Sequence, residues 1–313
     1  MSNKIKTCHV RHYIAFFLLI FATHFSNARD LAEIKADGVL RHIGIPYANF
    51  VSQYTQGDKT IESGLDVELM QGFAAHLGLR YEYVKANWAN VFTLLNGESA
   101  HFINGQVVIG EHKQAIAGDI IANGATTLDW RKEVVDFSDD YFPSAVWLIA
   151  RADSSLIPIT PGDSVSQDIE QVKELINGVN VLAMKYSCLD PDLYALHKTG
   201  ANIILPVKER KLNEMVPAIL NNDAESTLLD VPDTLVALQR WPGEIKVIGP
   251  ISEEQRMAVA FRKNSPELRN AFNLYLRQLK KEGTYNQLVK KYYPSVFHFY
   301  DDFFKPQEIN NTQ

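Results

Sequence analysis

The chain has 313 residues, 46% apolar and 22% charged, a balance that excludes a disordered or fibrous protein and leaves room for two domains with sizeable cores. Its formal charge is −6, and −9 once the first 28 residues are set aside, which argues against nucleic acid or an anionic membrane as the main partner. Past residue 28 only Cys188 remains of the two cysteines, so no internal disulfide is expected.

Residues 1–28 read as a secretory leader. Lys4, Lys6 and Arg11 precede the apolar run "YIAFFLLIFATHF", and Ser26 and Ala28 offer the small residues of a cleavage site. The run is too short for an ordinary membrane span, so a soluble exported protein starting near Arg29 is predicted. "VLRHIGIPY" then reads as a strand running into a loop. "ESGLDVELMQGFAAHLG" reads as a turn and a helix, with Asp66 as its N-cap and Val67, Met70, Phe73, Ala74 and Leu77 on one face. "LRYEYV" alternates like a strand, "WANVFTLLNG" is a short helix, and residues 96–118 are a long loop or small hairpin. "AGDIIANGATT" is a further strand.

"VWLIAR" should be a strand leaving this first lobe, and 155–168 a connector rich in Pro, Ser and Gly. A second α/β series follows. It runs strand "GVNVLAMKYS", helix "DLYALHKTG", strand "ANIILPV", a helix over "KLNEMVPAILNN" weakened by Pro217, strand "STLLD" and helix "VPDTLVALQRW". Two strands, "EIKVIGP" and "RMAVAFRK", lead to a helix with Ser265 as cap and Pro266 at its first position, then to a last helix capped by Thr284. The fold class is α/β in two lobes.

Chemistry concentrates at 123–142, "NGATTLDWRKEVVDFSDDYF". A guanidinium such as that of Arg131 can hold a carboxylate through two parallel hydrogen bonds, which a lysine cannot do. Its competing role is a solvated charge at a helix start. Trp130, directly before it, reads as a lobe-surface residue. Glu98-Ser99 begins like a transglycosylase motif, but the Gly-Leu-Met-Gln element that should follow is missing. The nine histidines show no metal spacing, and there is no Walker loop or nucleophile elbow. Neither a catalytic residue, a metal nor a cofactor is expected. His101 and His112, flanking the loop at 96–118, read as solvated.

Gly124, Thr126 and Arg131, followed by Asp136, Phe137, Ser138 and Tyr141, resemble a signature of the family 3 periplasmic solute-binding proteins, the amino-acid-binding components of ABC importers. "GLDVEL" at 64–69 matches a second signature, and the resemblance covers about 37–295. It implies a two-lobed type 2 periplasmic binding fold: leader 1–28, lobe 1 from 29–145 and 255–313, lobe 2 from 146–254, and a hinge of two crossing segments near 144–151 and 245–258. It implies that Arg131 clamps a ligand carboxylate, helped by Thr126, and that Gly124 offers its carbonyl to an amine. "LLDVPD" makes Asp230 the ammonium partner, with helix capping as its alternative job. Tyr47 and Trp88 would be aromatic walls, or core. "MKYSCLD" matches the loop that lays backbone N–H groups on the carboxylate; it supplies Ser187, with Tyr186 standing where the family prefers glycine. The implied partners are a small-molecule ligand and an ABC permease of the inner membrane, and the protein itself is expected to be a monomer. The chain is also similar to the N-terminal domain of membrane-bound lytic murein transglycosylase F, whose catalytic domain is not expected here. A binding or sensing module for a cell-wall fragment or peptide is therefore the alternative reading.

Overall fold

The computed structural model describes residues 29–57, 59–206 and 211–305; the leader read at 1–28 lies outside them. Two five-stranded sheets organise the chain. In the first, Val39–Gly44 pairs in parallel with Arg80–Lys85 on one side and Ile120–Ile121 on the other. Ala260–Phe261 returns late in the sequence and runs antiparallel between Ile120–Ile121 and Asp136–Phe137. The second sheet has the order Asn202–Ile204, Asn180–Leu182, Ser226–Asp230, Val146–Arg151 and Ile245–Pro250. Parallel pairing joins its first three strands, and antiparallel pairing adds the last two. Between the sheets, Phe142–Ser144 and Gln255–Met257 pair antiparallel, so two adjacent segments carry the chain out and back.

Helix Leu65–His76 buries Val67, Met70, Phe73 and Ala74, the face expected from their 3/4 spacing. Phe73 meets Phe272 of helix Pro266–Lys281 edge to face at 5.3 Å, an arrangement that adds to the area the rings remove from water. Asp66 does not cap this helix. Gly64 holds the cap position without a side-chain bond, and Asp66, two residues on in the first turn, is buried.

Other caps also differ from expectation. Asp30 caps helix Leu31–Asp37, which sequence reading missed, and its carboxylate also accepts from Glu267 and Leu268 N–H groups at 3.1 and 2.8 Å. Asp30, not Ser265, therefore satisfies the start of the long C-terminal helix, while the Ser265 hydroxyl donates to the Arg29 carbonyl. Gly283 precedes the last long helix, and Thr284 is its first residue rather than its cap. The helix read at 192–200 is two 3-10 turns, Pro191–Tyr194 and Leu196–Lys198, broken where Ala195 turns left-handed. Pro217 sits in the first turn of helix Met215–Leu220, where a missing N–H breaks no helical bond.

The segment 96–118 contains a hairpin, Ala100–Ile103 with Gln106–Ile109, closed by Asn104-Gly105. A second hairpin, Ser52–Gln56 with Lys59–Ser63, fills the stretch left unassigned after Tyr47.

Candidate functional site

Arg131 lies in the short helix Asp129–Val134 but faces inward, 1% exposed. It is not the solvated charge that a helix start allows. Its Nη1 donates to the Thr126 carbonyl at 3.1 Å, which fixes the fork. Nε and Nη2 are buried and have no partner. The charge is flanked by two indoles, Trp88 at 4.9 Å and Trp130 at 5.4 Å from the guanidinium carbon. Trp130 is not at the surface. It is buried against Phe92 and Phe102, at 5.5 and 6.1 Å between ring centres. Burial pushes the Arg131 pKa below its ordinary value, with the Cys188 thiol and Tyr194 phenol close enough to oppose that shift. A guanidinium keeps its proton even so. The result is a fixed positive charge with two free donors.

Thr126 is also buried, at the bridge to Met257, and its hydroxyl has no ordinary hydrogen-bond partner beside the Cys188 thiol. Gly124 adopts φ +64° because a left-handed turn brings its N–H onto the Asp66 carboxylate at 2.7 Å and the Tyr141 hydroxyl at 3.1 Å. Tyr141 in turn donates to Asp66 at 2.7 Å. Desolvation raises the Asp66 pKa to about 7, against these hydrogen bonds. Asp66 thus anchors the loop that carries Gly124 and Thr126, a role that its place in the helix start did not disclose.

Asp230 ends the strand Ser226–Asp230 and begins helix Val231–Arg240. Its Oδ1 accepts from Asp233 N–H at 3.1 Å, so the capping role is real. Its Oδ2 accepts from the Tyr47 hydroxyl across the lobes and faces the Cys188 thiol at 3.6 Å. Desolvation raises the Asp230 pKa to about 6. Tyr47 is buried and stacks on Phe50 at 5.6 Å, so wall and core roles coincide in it. Trp88 is half-buried, with its indole N–H enclosed and unpartnered. Ser187 is buried, but its hydroxyl is committed to the local turn, donating to Met184 O at 2.9 Å and accepting from Leu189 N at 3.0 Å. Tyr186 holds φ +67°, the left-handed conformation that glycine adopts freely, and its ring meets His101 at 4.3 Å.

The lobes are closed on one another. Tyr47 reaches Asp230, His101 reaches Tyr186, and Leu193 packs against the apolar cluster of the first lobe that contains Trp130. Two depressions, of about 400 and 690 Å³, open elsewhere: one beside Trp147, Val247 and Tyr300, the other beside Glu98, Glu133 and Arg262. Glu98 pairs with Lys113 at 3.5 Å, and His112 is exposed. Among the described residues no group of three His, Cys, Asp or Glu could hold a metal, and no helix is long and apolar enough to cross a membrane. Asn123, Ser144 and Gln255 also carry enclosed polar atoms without partners, and nothing in their spacing singled them out.

Two α/β lobes joined by paired strands, closing over a buried guanidinium with free donors, have the layout of a two-lobed solute-binding protein. The chain belongs to the bacterial extracellular solute-binding proteins, family 3, whose profile matches residues 113–295. The arginine-binding extracellular protein ArtP of Bacillus subtilis (strain 168) is 24% identical over 245 residues, covering 77% of this chain and 81% of ArtP. A membrane-bound lytic murein transglycosylase F of Desulfosudis oleivorans is 24% identical over 242 residues, 77% of this chain but 46% of that protein. The chain thus spans about half the length of that relative. Among solved structures, a mutant of ArgBP from T. maritima superposes with a TM-score of 0.66 at 21% identity, covering 84% of this chain and 99% of that one.

Proposed function

We propose that the protein captures a small carboxylate-bearing solute, an amino acid or a close relative of one, between its lobes and presents it to an ABC permease. The single observation that carries this reading is Arg131. A buried, permanently charged group with two unpartnered donors is costly unless something completes it. Of the common biological groups, a carboxylate fits that fork best. Thr126 and the Trp88 indole N–H lie near enough to add donors, and Asp230, released from Tyr47, would take an ammonium. The relatives named for arginine and cystine binding support the amino-acid class.

In this reading 29–145 and 255–313 make one lobe and 146–254 the other, and the paired crossings flex as the hinge. The protein works as a periplasmic monomer, exported by the leader at 1–28. The solved neighbours, which are amino-acid-binding proteins, favour capture over the sensing of cell-wall fragments.

A thermal-shift panel of amino acids, dicarboxylates, polyamines and muropeptides tests this on wild type and Arg131→Ala. A ligand at 100 times its dissociation constant adds about 2.7 kcal/mol of stability. An amino acid that shifts wild type and not the variant supports the reading. A shift by muropeptides alone, or one that survives Arg131→Ala, sinks it.

A further inference from the structure

We propose that the cleft carries a second, uncharged recognition patch on its hinge side, formed by Asn123, Ser144 and Gln255, which takes a carboxamide of the bound ligand. This rests on the reading of Arg131 as the carboxylate clamp and names the class of group at the ligand's other end.

Strand register pairs two of the three, and the loop to Thr126 carries the third. Ser144 and Gln255 are direct partners in the antiparallel pair of crossing segments, so their side chains stand on one face. Two residues beyond Gln255, Met257 bridges Thr126, and Asn123 stands three residues before Thr126 on the same loop. The Gln255 amide nitrogen reaches the Tyr194 hydroxyl at 3.4 Å, and Tyr194 lies within the fields of both Arg131 and Asp230. The patch therefore borders the clamp.

Its polar atoms are conspicuously unsatisfied. Asn123 and Ser144 are 0% exposed. Yet both ends of the Asn123 amide, the Ser144 hydroxyl and the Gln255 carbonyl oxygen lack hydrogen-bond partners. Such groups are uncommon in folded proteins, and several along one wall point to a polar occupant.

The inventory of atoms specifies that occupant. Asn123 offers one donor group and one acceptor, and Ser144 can act as either. Gln255 offers its oxygen and one N–H, because its other N–H serves Tyr194. None of the three is charged. A ligand carboxylate here would face the Asn123 and Gln255 oxygens, and an ammonium would find no carboxylate among the three residues. A group that both donates and accepts without charge satisfies the patch. The carboxamide of a free amino acid side chain and a peptide bond both have that form.

Calorimetry with L-glutamine, L-glutamate, L-norleucine and glycylglycine tests this. L-Glutamine or glycylglycine should bind at least about tenfold tighter than L-norleucine and L-glutamate, because a site built to hydrogen-bond a group rejects analogues that lack it. Which of the two binds tells a side-chain amide from a peptide bond. Asn123→Leu and Ser144→Ala should abolish that preference, weakening L-glutamine or glycylglycine while L-norleucine, which no longer buries unpaired polar groups, binds as well or better. The comparison among ligands needs no variant to fold. L-Norleucine binding wild type as tightly as L-glutamine and glycylglycine overturns the patch. If all the probes bind equally and Arg131→Ala abolishes them, the patch fails and the clamp stands. If none binds, the patch fails, and the clamp is judged by the amino-acid panel with Arg131→Ala.

Discussion

The Tyr47 hydroxyl donates to the Asp230 carboxylate across the two lobes, inside the closed cleft. The same carboxylate caps helix Val231–Arg240 and faces the Cys188 thiol, so both its oxygens are engaged without a ligand. In the proposed reading a ligand ammonium would have to displace the phenol. Tyr47→Phe removes one interlobe hydrogen bond, worth about 1 kcal/mol. The ligand-free variant should populate the open form more, with a larger radius of gyration by small-angle scattering that contracts when ligand saturates it. A radius equal to that of wild type would mean that His101–Tyr186 and the other interlobe contacts hold the lobes shut without this bond.

In the proposed reading, Arg131 would contribute recognition at the expense of stability. Its charge is buried without a carboxylate partner, and only the flanking indoles and the Thr126 carbonyl offset the desolvation. Arg131→Met keeps most of the apolar stem and removes the charge. The unfolding midpoint of the ligand-free protein should stay level or rise, while carboxylate binding disappears. Arg131→Lys should weaken binding by at least about tenfold, because a single ammonium cannot reproduce the fork. A clear loss of stability in Arg131→Met would show that the guanidinium is structural.

The sequence exposed what is periodic and local. The buried face of Leu65–His76 follows 3/4 spacing, and the long helix after Pro266 was visible from its proline and its apolar stripe. Asp30 was not legible as a cap for that helix, because it reaches Leu268 from 238 positions away. Asn104-Gly105, in contrast, is a strong hairpin signal that could have settled the segment 96–118. At the site, Arg131, Gly124 and Thr126 stand in one short run and were readable together. Ser144 and Gln255 become neighbours only because segments more than a hundred residues apart pair antiparallel, and spacing carries no trace of that.

Gly124 should be far less replaceable than Gly78, although both are left-handed. A Cβ on Gly124 would lie 2.6 and 2.7 Å from Phe50 ring atoms and 3.0 Å from Tyr47, whereas one on Gly78 meets nothing within 4 Å. Gly78→Ala should cost only the backbone strain, about 1 kcal/mol. Gly124→Ala adds a clash with two buried rings, for a total of about 2–4 kcal/mol. Urea unfolding of both variants checks the difference. Equal losses would mean that Phe50 and Tyr47 can move aside, and that the loop beneath the cleft is softer than its packing indicates.

Asp66 makes stability depend on pH in a definite direction. Its folded pKa is about 7, raised by burial from the ordinary carboxyl value. The folded state therefore holds a proton that the unfolded state has already lost, and the stability this brings vanishes as pH rises through 7. Asp230, at about 6, acts the same way over a lower window, and buried Asp233, also raised, shares the sign. His42 opposes them: burial lowers its pKa to about 4, so between about 4 and 6.5 the unfolded state binds its proton more readily and stability climbs with pH. The Asp66 effect is thus best read from pH 6.5 to 8 as the difference between wild type and Asp66→Asn, because His42, still titrating in the unfolded chain near 6.5, contributes alike to both. Wild type should lose stability across that interval, and Asp66→Asn should lose less. Denaturant midpoints at pH 6.5, 7.2 and 8 measure it. Parallel pH curves for the two proteins would mean that Asp66 is ionised throughout, held so by Gly124 N–H and Tyr141, and that desolvation does not dominate at this carboxyl.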